Sequence, residues 1–250
     1  MRCSASSILN NAIPCLTFNY DDFLDRNLWG IDQRKRKSQN RTYWHPNGGY
    51  GFFCKPSMWT ISAEPVAMDQ TAMLLLKMHG SINWYASLGA AKPCQPQSIV
   101  HHSTWYRGVP PAFHTATEIE LDDLVRRHLE PDPFIVPPVL AKSDLLEQPI
   151  LKLIWRLAYQ ELAKAKLVVF VGYSFPITDL AAIFLFGETL SRLDCRIQVV
   201  NWASKASEQE AIKASYKNVF PELKDQQFSF EGALGWARSL GGTHPQAEVR

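Results

Sequence analysis

A parallel α/β sheet with helices on both faces is the architecture this 250-residue sequence predicts. Two observations predict it. From residue 134 onward, apolar runs of strand length alternate with longer stretches of helical periodicity, the pattern of parallel sheets. In addition, four apolar runs each end on a polar cluster. Ile13-Pro14-Cys15-Leu16 runs into Thr17-Phe18-Asn19-Tyr20-Asp21, and Leu74-Leu75-Leu76-Lys77-Met78 into His79-Gly80-Ser81. Leu167-Val168-Val169-Phe170-Val171 runs into Gly172-Tyr173-Ser174, and Ile197-Gln198-Val199-Val200 into Asn201. Open α/β sheets bind ligands beyond the carboxyl ends of their strands, so these clusters are where chemistry is expected to converge.

Taken in order, residues 13–18 read as a buried strand. Residues 26–73 read as an irregular insert, with a turn at Pro46-Asn47-Gly48-Gly49. Its aromatics (Tyr43, Trp44, Tyr50, Phe52, Phe53 and Trp59) predict a small packed module. Residues 74–78 return to strand. Residues 85–133 form a second insert, rich in proline, with a short helix over 121–129. Phe134-Ile135-Val136 is a strand stopped by Pro137-Pro138, and Ser143 is a candidate N-cap. Ile150, Leu153, Ile154, Leu157, Tyr159 and Leu162 then fall mostly at helical spacing, predicting an amphipathic helix that ends near Lys164-Ala165-Lys166. Strands at 167–171, 196–200 and 228–230 and helices at 180–190, 207–216 and 232–240 complete the reading, as one domain over 1–250.

Composition narrows the function classes. The chain is 46% hydrophobic and 20% charged, ordinary values for a globular protein able to bury a core. A net charge of +2 gives no bias toward nucleic acid or membranes. The basic run Arg34-Lys35-Arg36-Lys37, with Arg41, reads as a solvated loop rather than a phosphate contact. The five cysteines (Cys3, Cys15, Cys54, Cys94 and Cys195) form no C-x-x-C pair, so neither a disulfide framework nor a zinc site is expected. Reduced thiols and a cytoplasmic location follow as the expectation. Residues 1–11 carry no secretory leader pattern. The most membrane-like stretch, 167–187, is broken by Gly172-Tyr173-Ser174 and holds Asp179, which would cost roughly 3 kcal/mol in a bilayer.

Each polar cluster admits a functional and a structural reading. Asn19 and Asp21 would face one side of an extended segment, where an amide and a carboxylate can fix a sugar hydroxyl or orient a water; they could equally close an Asx-turn. His79, at a strand end beside a glycine, suits a base near neutral pH, or a hydrogen-bonded structural histidine. Gly172 and Ser174 open a strand-to-helix turn suited to ribose or phosphate. Asp179 either caps the next helix or faces the site. Asn201 stands where nucleotide-binding sheets read an adenosine ribose, or simply ends a strand. His101-His102 has no neighbouring ligand at metal spacing.

Together, T-x-N-x-D at 17–21, the run Leu76-Lys77-Met78-His79-Gly80-Ser81-Ile82-Asn83-Trp84, G-x-S at 172–174 and Val199-Val200-Asn201 occur in one order. In this the chain resembles the sirtuin-like (silent information regulator-like) superfamily of NAD-dependent proteins, and most of all its bacterial antiphage-defence branch. The resemblance spans roughly 13–240 and implies a Rossmann-like domain. It implies that Asn19 orients the attacking water or acyl oxygen at the nicotinamide ribose, that Asp21 supports the nicotinamide or ribose side, and that His79 is the general base on a ribose hydroxyl. Thr17, Gly172, Ser174, Asp179 and Asn201 would hold the dinucleotide. The family pattern opens on a strand and a Gly-Ala-Gly-x-Ser phosphate loop, whereas this chain has no glycine before Gly30. The expectation is therefore an N-terminally truncated domain without that first strand.

Family deacylases carry a zinc module with paired cysteines after His-Gly, and 85–133 holds only Cys94. NAD is thus expected as the substrate of a hydrolase that releases nicotinamide and ADP-ribose, without zinc or any other metal. A non-catalytic NAD- or ADP-ribose-binding or scaffold module, and an NAD-dependent protein deacylase, are the alternatives. The partners implied are NAD or ADP-ribose and a homo-oligomer or a fused or separate defence protein, with neither membrane nor nucleic acid expected.

Overall fold

The computed structural model describes residues 13–35, 42–52, 55–56, 71, 73–87, 99–101, 129–136, 149–176, 178–191 and 194–240. They form a mixed α/β structure containing parallel sheets. The chain divides into two compact units, Met1–Ala158 and Tyr159–Arg250.

In the first unit, β1 (Ile13–Thr17) pairs in parallel with β3 (Met73–Lys77), with Thr17 opposite Lys77. Between them lie helix α1 (Phe23–Lys35), the single turn α2 (Pro46–Gly49) and the short β2 (Lys55–Pro56). A second sheet has the order β2-β5-β4-β6, built with β4 (Gly80–Ser87), β5 (Ile99–His101) and β6 (Leu129–Ile135). In it β4 runs antiparallel to both β5 and β6.

Three sequence expectations change here. The insert read as irregular from residue 26 begins with a helix, α1. The strand read at 134–136 starts at Leu129, where the end of a short helix was expected; residues 121–128 lie outside the described residues, as does Ser143. Pro131 and Pro133 are tolerated because β6 is the edge of its sheet, where a missing N–H costs no ladder bond. Finally, β6 belongs to this antiparallel arrangement and not to the parallel strands that follow it.

Aromatic rings fill the core of this unit, as the insert's composition predicts. Trp44, Tyr50, Phe52 and Trp84 are all buried. Tyr50 and Trp84 meet edge-to-face at 4.9 Å, and Phe52 and Trp84 at 5.1 Å. Phe53 and Trp59 lie outside the described residues.

The boundary between the units falls within α3 (Pro149–Leu162), whose buried Ile150, Ile154, Ala158 and Leu162 recur every fourth residue. In the second unit, β7 (Leu167–Val171), β8 (Arg196–Val200) and β9 (Phe228–Ser229) form a parallel sheet in that order. Helices α4 (Leu180–Leu190) and α5 (Ala206–Val219) connect them, and α6 (Gly232–Ser239) follows. Phe170, Phe175, Phe186, Tyr216 and Phe220 are all buried. Their rings lie about one another, as in the 4.8 Å edge-to-face contact of Phe175 with Tyr216. Among the described residues no helix is long and apolar enough to cross a membrane.

Two glycines at turns serve different ends. Gly80 has φ +81°, and a Cβ there would stand 2.1 Å from the Phe134 carbonyl oxygen. Gly172 has φ +69° with nothing within 4 Å of such a Cβ. Gly80→Ala should therefore cost about 2–4 kcal/mol, from conformation and clash together, and Gly172→Ala only about 1 kcal/mol. Urea unfolding of both variants checks the order; equal losses would contradict it.

Candidate functional site

Because β1 and β3 are parallel, the residues that follow them emerge at the same edge. The segment after β1 turns there and is pinned by its own carbonyls. Thr17 O accepts the Met78 amide at 2.9 Å, and Tyr20 O accepts the Ile82 amide at 3.0 Å. Tyr20 O also accepts the Ser81 hydroxyl at 3.2 Å. The Thr17 hydroxyl oxygen accepts the Asn19 amide at 3.2 Å, a local turn. Asn19 and Asp21 are exposed. They do not share one face of an extended strand, since the strand ends at Thr17. Asp21 Oδ1 accepts the Phe23 amide at 3.0 Å at the start of α1, the backbone-satisfying role weighed for it above.

His79 occupies the second position of the two-residue link between β3 and β4. It is 2% exposed. Phe18 meets its ring edge-on at 5.3 Å, Tyr20 stacks at 6.2 Å and Trp155 lies at 6.5 Å. The Trp155 indole donates to Met78 O at 3.0 Å, and His79 O accepts the Val136 amide at 2.8 Å. The imidazole thus stands in an aromatic, water-poor surround next to the Asn19 segment.

Under this edge lies a polar cluster that the sequence reading missed. Lys77 and Asp25 form an ion pair at 3.0 Å with both side chains fully buried. The Lys77 ammonium also donates to Asp21 O at 2.5 Å, and the Tyr50 hydroxyl donates to Asp25 Oδ1. The available signal was a lysine inside an otherwise apolar run, because a buried ammonium demands a partner. Burial, and secondarily the Asp25 charge, push the Cys15 thiol up to about 11. Further along β4, the Asn83 side chain is 5% exposed, and neither its amide nitrogen nor its oxygen has a hydrogen-bond partner.

In the second unit, Gly172, Ser174 and Asn201 follow the carboxyl ends of β7 and β8. The Asn201 side-chain amide donates to Tyr173 O at 3.3 Å, and its Oδ1 accepts the Trp202 amide at 2.9 Å. The Tyr216 hydroxyl donates to the same Tyr173 carbonyl at 2.7 Å. Asp179 takes the N-cap position of α4 without a capping bond. It is buried and accepts the Tyr173 hydroxyl at 3.3 Å. Burial, then the Asp179 charge, raise the Tyr173 pKa, and burial raises that of Tyr216. Ser174 is exposed, while Phe175 holds φ +51°, a left-handed conformation paid for by its aromatic packing.

The structure therefore groups Thr17, Asn19, Asp21 and His79 in the first unit. It groups Gly172, Ser174, Asp179 and Asn201 about Tyr173 in the second. No group of three or more histidine, cysteine or acidic side chains suited to a metal occurs among the described residues. Comparison with protein-family models finds no match, and comparison with curated proteins finds no significant relative.

The raised Cys15 pKa has a direct chemical consequence. With the pKa near 11, roughly one thiol in a thousand is ionised at pH 8. Iodoacetamide at pH 8 should leave Cys15 unmodified in the folded protein and alkylate it fully in urea, as read by peptide mass mapping. Rapid alkylation of the folded form would contradict this environment.

Proposed function

We propose that this chain is a sirtuin-like NAD-cleaving protein that breaks the bond between nicotinamide and ribose and releases ADP-ribose. The observation that carries the reading is the edge shared by the Asn19 segment and His79. An exposed amide and a buried imidazole are tied there by the bonds from Met78, Ser81 and Ile82 to the 17–20 backbone.

Cleavage proceeds through an oxocarbenium-like state, which positioned dipoles and a dry surround stabilise. In this scheme the Asn19 amide orients the attacking water, and His79 accepts a proton from a ribose hydroxyl. Phe18, Tyr20 and Trp155 keep bulk water from the imidazole. Asp21 supports the ribose side through Oδ2, since Oδ1 holds the Phe23 amide. Thr17 acts on Asn19 through its hydroxyl rather than on the dinucleotide directly.

The resemblance assigns dinucleotide contacts in the second unit to Gly172, Ser174, Asp179 and Asn201, within a Rossmann-like fold. Of these, Gly172 and Ser174 are exposed at a strand end. A cytoplasmic role in antiphage defence, as a homo-oligomer or with a partner protein, belongs to the same reading.

One observation favours a second reading. A histidine only 2% exposed is poorly placed to meet a substrate hydroxyl, as in a module that binds NAD or ADP-ribose, or only scaffolds, without turnover.

Nicotinamide release from NAD by the full chain separates the two. The expected result is turnover by the wild type, lowered by about 10²–10⁴ in His79→Ala and Asn19→Ala. Equal rates in all three remove the enzyme reading. Calorimetric NAD binding without turnover establishes the second.

A further inference from the structure

Resting on the NAD-cleaving reading, we propose that Lys77 is a positioning residue. Its buried ammonium grips the Asp21 carbonyl and so sets where the Asn19 amide stands relative to the His79 imidazole.

Lys77 lies two residues before His79, and Asp21 lies two residues after Asn19. One side chain therefore links the strand that delivers the imidazole to the segment that carries the amide. The bond to Asp21 O, at 2.5 Å, is shorter than the 3.0 Å bond to Asp25 Oδ2. Charge-assisted bonds are the stronger and more geometrically exacting class. Neutralising Asp25 does not by itself require a contact with Asp21. The ammonium makes both, and Asp25 is in turn fixed by the Tyr50 hydroxyl, so the donor has little freedom to shift.

Other ties on this segment include those at Thr17 O and Tyr20 O, the Asn19 amide on the Thr17 hydroxyl and the Phe23 amide on Asp21 Oδ1. The grip on Asp21 O ties this segment directly to a side chain of β3, which the local bonds within residues 17–26 do not. Displacements of about 1 Å at a reacting group can cost on the order of 100-fold in rate.

The test compares the wild type with Lys77→Met and with Lys77→Met/Asp25→Asn, each assayed well below its own melting midpoint. The single variant strands a buried carboxylate and should melt early. The double variant removes both charges and should regain most of the melting temperature. The proposal expects the double variant to lose at least about 10-fold in kcat, with KM for NAD within about twofold of wild type. It also expects faster hydrogen exchange confined to the amides of residues 19–22.

Recovery of kcat together with melting temperature would show that Lys77 only balances Asp25, and overturns the proposal. A raised KM with unchanged kcat overturns it too, because the lysine would then serve binding. If the wild type releases no nicotinamide, the proposed function fails by itself, and hydrogen exchange still decides the grip. Faster exchange confined to 19–22 supports it, and unchanged exchange overturns it.

Discussion

A single buried ammonium organises the first unit. Lys77 is fully desolvated, a state tolerable only because Asp25 and the Asp21 carbonyl surround it. Removing one partner of such a pair typically costs about 3–5 kcal/mol, since the other charge stays buried alone. Satisfying it dictates several features at once. Helix α1 must start where Asp25 meets the strand, the 18–22 segment must fold back over β3, and Tyr50 must enter the core with its hydroxyl on Asp25. The same carboxylate helps hold the neighbouring Cys15 thiol protonated.

The second unit solves a different problem, that of holding a sharp turn after β7. Here the organising atom is the Tyr173 carbonyl, which accepts from both Asn201 and Tyr216. The turn continues into the left-handed Phe175, whose ring lies within 6 Å of Phe170, Tyr173, Phe186, Tyr216 and Phe220. Packing of that kind over-determines a backbone conformation costing of order 1–3 kcal/mol. The Asn201 and Asp179 side chains are partly spent on this scaffold, which leaves Gly172 and Ser174 as the freer face of the turn.

How much of this was legible depended on whether burial was apolar. β7, β8 and α4 were readable to the residue, because their segments are dominated by Val, Ile, Leu, Phe and Ala, and the two strands end on Gly172 and Asn201. Helix α1 was not, because its buried face is Asp25, Leu28 and Asp32. That is helical spacing, but two of the three residues are aspartates, so the face that is buried does not read as a hydrophobic stripe. Strand β6 was shortened because prolines read as loop signals, although an edge position excuses them. Of the candidate site, the strand-end residues were visible as polar punctuation. The aromatic surround of His79 and the Lys77 cluster depend on partners far away in sequence, such as Trp155 and Asp25, and no local pattern announces them.

Met78 and His79 are the whole of the link between β3 and β4, which lie in different sheets, at a spacing that leaves little slack backbone. With Gly80 pressed against the Phe134 carbonyl, the imidazole is clamped at both ends. A link this short leaves the His79 backbone little room to move independently of the strands on either side of it.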